Sequence, residues 1–214
     1  MKYISIILIL FFTGCNSKKA IVQKPLIVFL HGYGDNETQF AEFSKTFKGN
    51  YDTMLIRGFF DLKDDNYSFG ELNYNEIDNT WFDKKDGLYS VYKLKDILKS
   101  EKYKKIIIFG YSQGASLGYA MLLNYPEKFK TLVAINGYID KNLLIERYKL
   151  DYDSLNILRL NGADDFLINT KMIEFSNSYL DSLKIQNTFI EHKDGHSFTD
   201  EHLKTAREWI VKTN

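Results

Sequence analysis

Six short apolar runs, most of them rich in β-branched residues, recur along the chain: Leu26–Leu30, Thr53–Ile56, Lys105–Phe109, Leu132–Ile135, Leu155–Leu160 and Thr188–Ile190. Near-continuous apolarity, without strict alternation, is the pattern of strands covered on both faces. The mixed segments between them predict helices near Thr38–Phe47, Leu88–Ser100, Gln113–Asn124, Thr170–Leu183 and Thr199–Lys212. Met172, Phe175, Tyr179 and Leu183, spaced i, i+3, i+7, i+11, lay one apolar stripe along the fourth of these. Strands alternating with helices predict a doubly wound α/β sandwich with a mostly parallel central sheet and helices on both faces. The longest stretch without clear periodicity runs from Gly58 to Asp86, and its length predicts functional loop surface rather than a plain connector.

A seventh apolar run, Ile4 to Phe12 broken by Ser5, follows Lys2 and ends in Thr13-Gly14-Cys15. Nine helical residues span about 14 Å, under half of the roughly 30 Å of bilayer hydrocarbon, so the run predicts a signal-peptide segment rather than a permanent span. Small residues directly before the cysteine resemble a bacterial lipoprotein cleavage box, with Phe12 where leucine is usual. That resemblance implies a signal peptide over 1–14, a tether over 15–24 lipidated on Cys15, a folded domain over 25–214, and a lipid anchor in the bacterial cell envelope. The alternative is an ordinary secretory signal with an incidental cysteine. Cys15 is the single cysteine, which excludes an intrachain disulfide and a cysteine-built zinc cluster. With 28 Lys+Arg against 28 Asp+Glu there is no broad attraction to polyanions, and no nucleic-acid partner is expected. The sequence sets no oligomeric state.

The chemistry gathers where the apolar runs end. Lys105–Phe109 passes into Gly110-Tyr111-Ser112-Gln113-Gly114 and then at once into helix-forming sequence. In this G-x-S-x-G pattern the flanking positions lack side chains so that strand and helix approach closely, and the turn lifts the serine hydroxyl clear of the backbone. A serine hydroxyl needs a base within hydrogen-bond reach, and the base needs an acid to fix its tautomer. His196 lies in a loop between the last strand and the last helix, with His192 at the end of that strand as its rival. His202, inside the final helix, and His192 otherwise read as surface residues. His31 reads as a residue that packs and bonds locally. Leu155–Leu160 runs into Asn161-Gly162-Ala163-Asp164-Asp165, where either aspartate fits the acid. Gly32 and Gly34 flank Tyr33 just after the first strand, so the Tyr33 amide can join the Gln113 amide as a pair of oxyanion donors.

Together, His31-Gly-Tyr-Gly-Asp-Asn, Trp81-Phe82-Asp83, Gly110-Tyr-Ser-Gln-Gly, Asn124-Tyr-Pro-Glu-Lys, Gly162 to Asp165 and Gly195-His196-Ser197 resemble the phospholipase/carboxylesterase family of small α/β-hydrolases. The resemblance spans residues 26 to about 212. It implies the α/β-hydrolase fold without a large lid, and it assigns Ser112 as nucleophile, His196 as base, Asp165 rather than Asp164 as acid, Tyr33 and Gln113 as oxyanion donors, and Trp81 as a wall of the substrate groove. Asn161 and Phe166 depart from the histidine and proline usual around the acid. The implied activity is hydrolysis of short-to-medium acyl or aryl esters, lysophospholipids or thioesters through an acyl-enzyme, with a small-molecule ester as partner and no metal or organic cofactor. Phe59, Phe60, Phe69 and Phe82 join Trp81 as candidates for an apolar pocket. The competing classes are a non-catalytic envelope lipoprotein that binds a ligand, and a serine peptidase on the same fold.

Overall fold

The computed structural model describes residues 23–99, 102–147 and 150–213. The expected signal peptide, the lipidated Cys15 and most of the tether lie outside the described residues. Among the described residues, no helix is long and apolar enough to cross a membrane.

In chain order the elements are β1 (Leu26–Leu30), a 3₁₀ turn over Glu37–Phe40, α1 (Ala41–Lys45), β2 (Asp52–Ile56), β3 (Phe60–Lys63), β4 (Asn66–Ser68), β5 (Leu72–Asn75), β6 (Thr80–Phe82) and α2 (Lys84–Ile97). Then follow β7 (Ile106–Tyr111), α3 (Gln113–Asn124), β8 (Thr131–Ile135), a 3₁₀ turn over Lys141–Leu143, β9 (Asn156–Gly162), α4 (Thr170–Ser182), β10 (Asn187–His192) and α5 (Asp200–Thr213). The six apolar runs form one all-parallel sheet in the order β10-β9-β8-β7-β1-β2. Alternate residues of each strand face opposite layers. Val28, Ile108 and Leu132 pack with α2, α3 and α4, whereas Phe29, Phe109 and Val133 pack with Phe40, Phe43 and Phe47 and with Ala206 and Ile210 of α5. Burial of each such side chain contributes about 1.5–3 kcal/mol. The edge strand β10 differs from the central ones, with Phe189 and Ile190 exposed.

Three expectations need correction. The first helix is shorter than its pattern, because the chain enters it through a 3₁₀ turn capped by Asn36 and leaves α1 at Lys45. The second begins four residues early. Asp83 caps it by accepting from the Lys85 and Asp86 amides, and at Gly87 the helix packs closely on Leu143, whose Cδ2 would lie 2.4 Å from a Cβ there. Residues 58–86 are also not plain loop: β3 pairs with β4, and β5 with β6, as two antiparallel hairpins. Their strands are short, mixed in polarity and poor in apolar alternation. The first turns through Lys63, Asp64 and Asp65, all at positive φ without a glycine, so the usual hairpin signal is missing.

Candidate active site

The C-terminal ends of β1, β7, β8, β9 and β10 form one ledge, and each contributes to the site. At the end of β7, Ser112 sits at φ 51° and ψ −115°, a conformation that costs a non-glycine residue on the order of 1–3 kcal/mol. The turn closes because Gly110 and Gly114 have no side chains: a Cβ at Gly110 would lie 2.5 Å from the Gly114 backbone, and one at Gly114 would lie 2.3 Å from the Leu30 carbonyl oxygen. Helix α3 starts directly behind the serine, so its first amides point toward the reaction space.

The structure brings together three of the expected side chains. Ser112 Oγ lies 2.8 Å from His196 Nε2, and His196 Nδ1 lies 2.7 Å from Asp165 Oδ2. With Nδ1 protonated, the ring donates to the carboxylate and leaves Nε2 to accept from the serine hydroxyl. Asp165 Oδ1 accepts from the Leu167 and Ile168 amides at 2.9 and 2.8 Å, and its side chain is 1% exposed. Asp164 makes no such bond to the histidine. The Asn161 and Phe166 departures leave this intact: Asn161 is buried and donates to the Gly137 carbonyl, while Phe166 projects into solvent. His192 faces away from the serine, with Nε2 3.2 Å from Asn136 Oδ1.

On the other side of Ser112, a Cβ on Gly32 would lie 3.7 Å from the serine Cβ, so the Gly32–Gly34 loop runs beside that serine. The Gly32 amide donates to Gln39 Oε1, and the Gly34 amide to the Tyr67 carbonyl. The amides of Tyr33 and Gln113 have no protein acceptor among the described residues. His31 packs and bonds as expected. It donates from Nδ1 to the Gly32 carbonyl, accepts the Gly58 amide at Nε2 at 2.8 Å, and stacks on Phe69. Burial lowers its pKa below the ordinary imidazole value.

The cleft in front of Ser112 is walled by Leu72, Trp81, Phe82, Ser116, Tyr138, Leu167 and Ile168, and holds about 370 Å³ with the open space at its mouth included. Trp81 lines the cleft on the side of Leu167, stacked on Tyr74 and donating from its indole nitrogen to the Leu167 carbonyl. Phe82 also lines the cleft. Phe59, Phe60 and Phe69 do not: Phe69 is fully buried against His31 and Phe59, and Phe60 meets Tyr89. These rings fasten the hairpins to the core.

Several supporting residues escaped the sequence reading. Asn136, at φ 47° just past β8, accepts from the Gly162 amide and donates to the Ser197 carbonyl at 2.6 Å, which ties the acid and histidine loops together. Tyr111 Oη donates to the His196 carbonyl, and burial, with Asp165 nearby, pushes that phenol up to about 12, so it remains a donor. Asp140, buried, accepts from the Trp81 and Phe82 amides and from Tyr138 Oη, fixing the cleft wall. The Gln113 side chain accepts from the Phe69 amide and donates to the Gly70 carbonyl. The one signal available for this shell was the pair of Asn-Gly steps, Asn136-Gly137 and Asn161-Gly162, each following an apolar run. His202 is also buried, contrary to its surface reading.

Among known proteins, yeast (Saccharomyces cerevisiae) acyl-protein thioesterase 1 is 26% identical over 89% of this chain and 93% of its own length. In three dimensions the chain is similar to the Bacillus cereus carboxylesterase, at TM-score 0.70 and 22% identity with 88% of each chain covered. It is also similar to YahD, solved with malic acid, at TM-score 0.73 and 21% identity over 89% of this chain and 94% of that one. From residue 16 to residue 214 the sequence matches the profile of the Phospholipase/Carboxylesterase family, and a match of that extent makes this chain a member of it.

Proposed function

We propose that the protein is a serine hydrolase that cleaves carboxylic esters or thioesters through an acyl-enzyme. The observation that carries this reading is the continuous run of short bonds from Ser112 Oγ through the His196 ring to Asp165, beside an apolar cleft. Ser112 Oγ attacks the carbonyl carbon while His196 Nε2 takes its proton, and Asp165 holds the imidazolium that results. The Tyr33 and Gln113 amides receive the charge that develops on the carbonyl oxygen; in such sites one donor contributes about 2.7–4 kcal/mol. Collapse of the tetrahedral adduct expels the alcohol or thiol, which leaves with the proton from Nε2. Water activated by the same nitrogen then releases the acid and restores Ser112.

The cleft is small, and its apolar walls, Leu72, Trp81, Leu167 and Ile168, support a short-to-medium acyl group. A series of p-nitrophenyl esters of increasing acyl length tests the reading: wild type should turn over short members fastest and Ser112→Ala none above background. A folded wild type that is inactive on the whole series would refute it. For the N-terminus we propose export and lipidation at Cys15, supported by the apolar run that precedes it. Wild type should then partition into detergent and Cys15→Ser into the aqueous phase; equal partitioning would refute the anchor.

A further inference from the structure

Behind the His196 loop, on the side away from the cleft, a second group of side chains converges. His192 ends β10, Asp194 lies in the loop, and His202 stands in the first turn of α5. One ligand atom from each lies within 4.8 Å of the others, and the two imidazole rings are 3.9 Å apart between centroids. Asp194 Oδ2 is 3.9 Å from His202 Nε2.

The orientation of His192 favours a cation. His192 directs Nε2–H at Asn136 Oδ1, which leaves Nδ1 with its lone pair, and among the described residues that Nδ1 is buried without a hydrogen-bond partner. An oriented neutral imidazole whose far nitrogen is held by a polar side chain is the usual form of a histidine metal ligand. Asp194 supplies the negative charge and is 54% exposed, free to turn inward.

We propose that His192 Nδ1, Asp194 Oδ2 and His202 Nε2 bind one divalent transition-metal ion, with Zn²⁺ as its probe, and that this ion fastens together the two ends of the loop that carries His196. Two imidazoles and a carboxylate, with a fourth position for water, suit Zn²⁺. Metal–ligand bonds near 2.0–2.2 Å in a tetrahedron set ligand atoms about 3.4 Å apart, so the group, whose ligand atoms lie within 4.8 Å of one another, must close by up to about 1.4 Å through rotation of its side chains. One bond must be exchanged. His202 Nδ1 now accepts the Thr199 amide at 3.2 Å, and metal at Nε2 moves the ring proton to Nδ1. Thr199 Oγ1, on that same residue and buried without a partner among the described residues, is then the acceptor for it. Proton count is unchanged: the ring loses Nε2–H and gains Nδ1–H.

The test uses the full untagged chain, stripped of metal with a chelator and titrated with Zn²⁺ by calorimetry and by thermal unfolding. Wild type should bind one equivalent and its Tm should rise with Zn²⁺ up to saturation. Asp194→Asn should weaken binding at least tenfold. His202→Gln should do the same, and it keeps the acceptor that a glutamine at the third helical position offers to the N-cap amide. Both apo variants should retain wild-type ester turnover. If His202→Gln does not fold, Asp194→Asn alone decides. Absence of saturable binding by wild type up to about 100 µM Zn²⁺, or binding and Tm shifts that persist in the folded variants, would overturn the proposal.

Discussion

The ledge that holds Ser112, Asp165 and His196 and the hairpins of residues 60–82 meet at one cleft, yet they are held by different means. The ledge rests on parallel strands whose central members are buried on both faces, and its loops pack backbone against backbone: a Cβ at Gly162 would lie 2.2 Å from the Asp194 carbonyl oxygen. In the hairpins β3 and β5 are largely exposed while β4 and β6 are half-buried or buried, and besides the rings of Phe59, Phe69 and Phe82 they are held by polar bonds from Gln113 to Phe69 and Gly70, from His31 to Gly58, and from Asp140 to Trp81 and Phe82. The atoms of the proposed triad are thus fixed by the core, whereas the shape of the cleft depends on a few rings and polar anchors. Damage to the first region should abolish chemistry with little effect on the cleft, and damage to the second should do the reverse.

The largest expected effect falls on the ledge. Asp165→Asn removes the carboxylate that fixes the histidine tautomer, and kcat should fall by about 10⁴-fold with KM for a short ester little changed. Asp164→Asn should stay close to wild type. Steady-state kinetics on one ester series separate the two, and the reverse ranking would move the acid to Asp164.

Next comes the attachment itself. Gln113→Ala keeps the backbone amide of residue 113 but strands the buried Phe69 amide and Gly70 carbonyl, which should destabilise the fold by about 3 kcal/mol. Tm should drop by about 6–12 °C, while kcat on the shortest ester stays within about tenfold of wild type because the donor to the oxyanion remains. A loss of kcat as large as that of Asp165→Asn, without a change in Tm, would dissolve the distinction between the two regions.

How much of each region the sequence revealed follows the same division. β1, β7, β8 and β9 were legible because burial on both faces demands apolar, β-branched runs, and the serine turn because only glycine fits at positions 110 and 114. Asn136, Asp140 and the side chain of Gln113 were not, since one polar residue that satisfies a distant amide leaves no periodic trace. The hairpins hid for a related reason: their turns use Asp64, Asp65 and Asn79 at positive φ in place of glycine. Phe59 and Phe69 read as pocket-lining because the sequence shows where rings are, not which face they turn to.

The smallest expected effect is on pH dependence. His31, His192 and His202 all have folded pKa values lowered by burial below the ordinary 6.5. The unfolded chain therefore binds more protons than the folded one as pH falls from about 6.5 toward the lowered values, so their contribution is fully present above 6.5 and is lost on acidification. At His31 the physical reason is plain, because a protonated Nε2 can no longer accept the Gly58 amide. The urea midpoint should be lower at pH 5 than at pH 7.5, and His31→Gln should flatten part of that slope. A midpoint that rises on acidification would contradict the neutral joint between ledge and hairpins.

The most direct measurement of the catalytic claim is peptide mapping by mass spectrometry after reaction with a fluorophosphonate, which requires an activated serine. One equivalent should attach to Ser112 in wild type, and labelling should slow by orders of magnitude in His196→Gln with the fold intact. A folded wild type that remains unlabelled, or carries the adduct on another residue, would contradict the account.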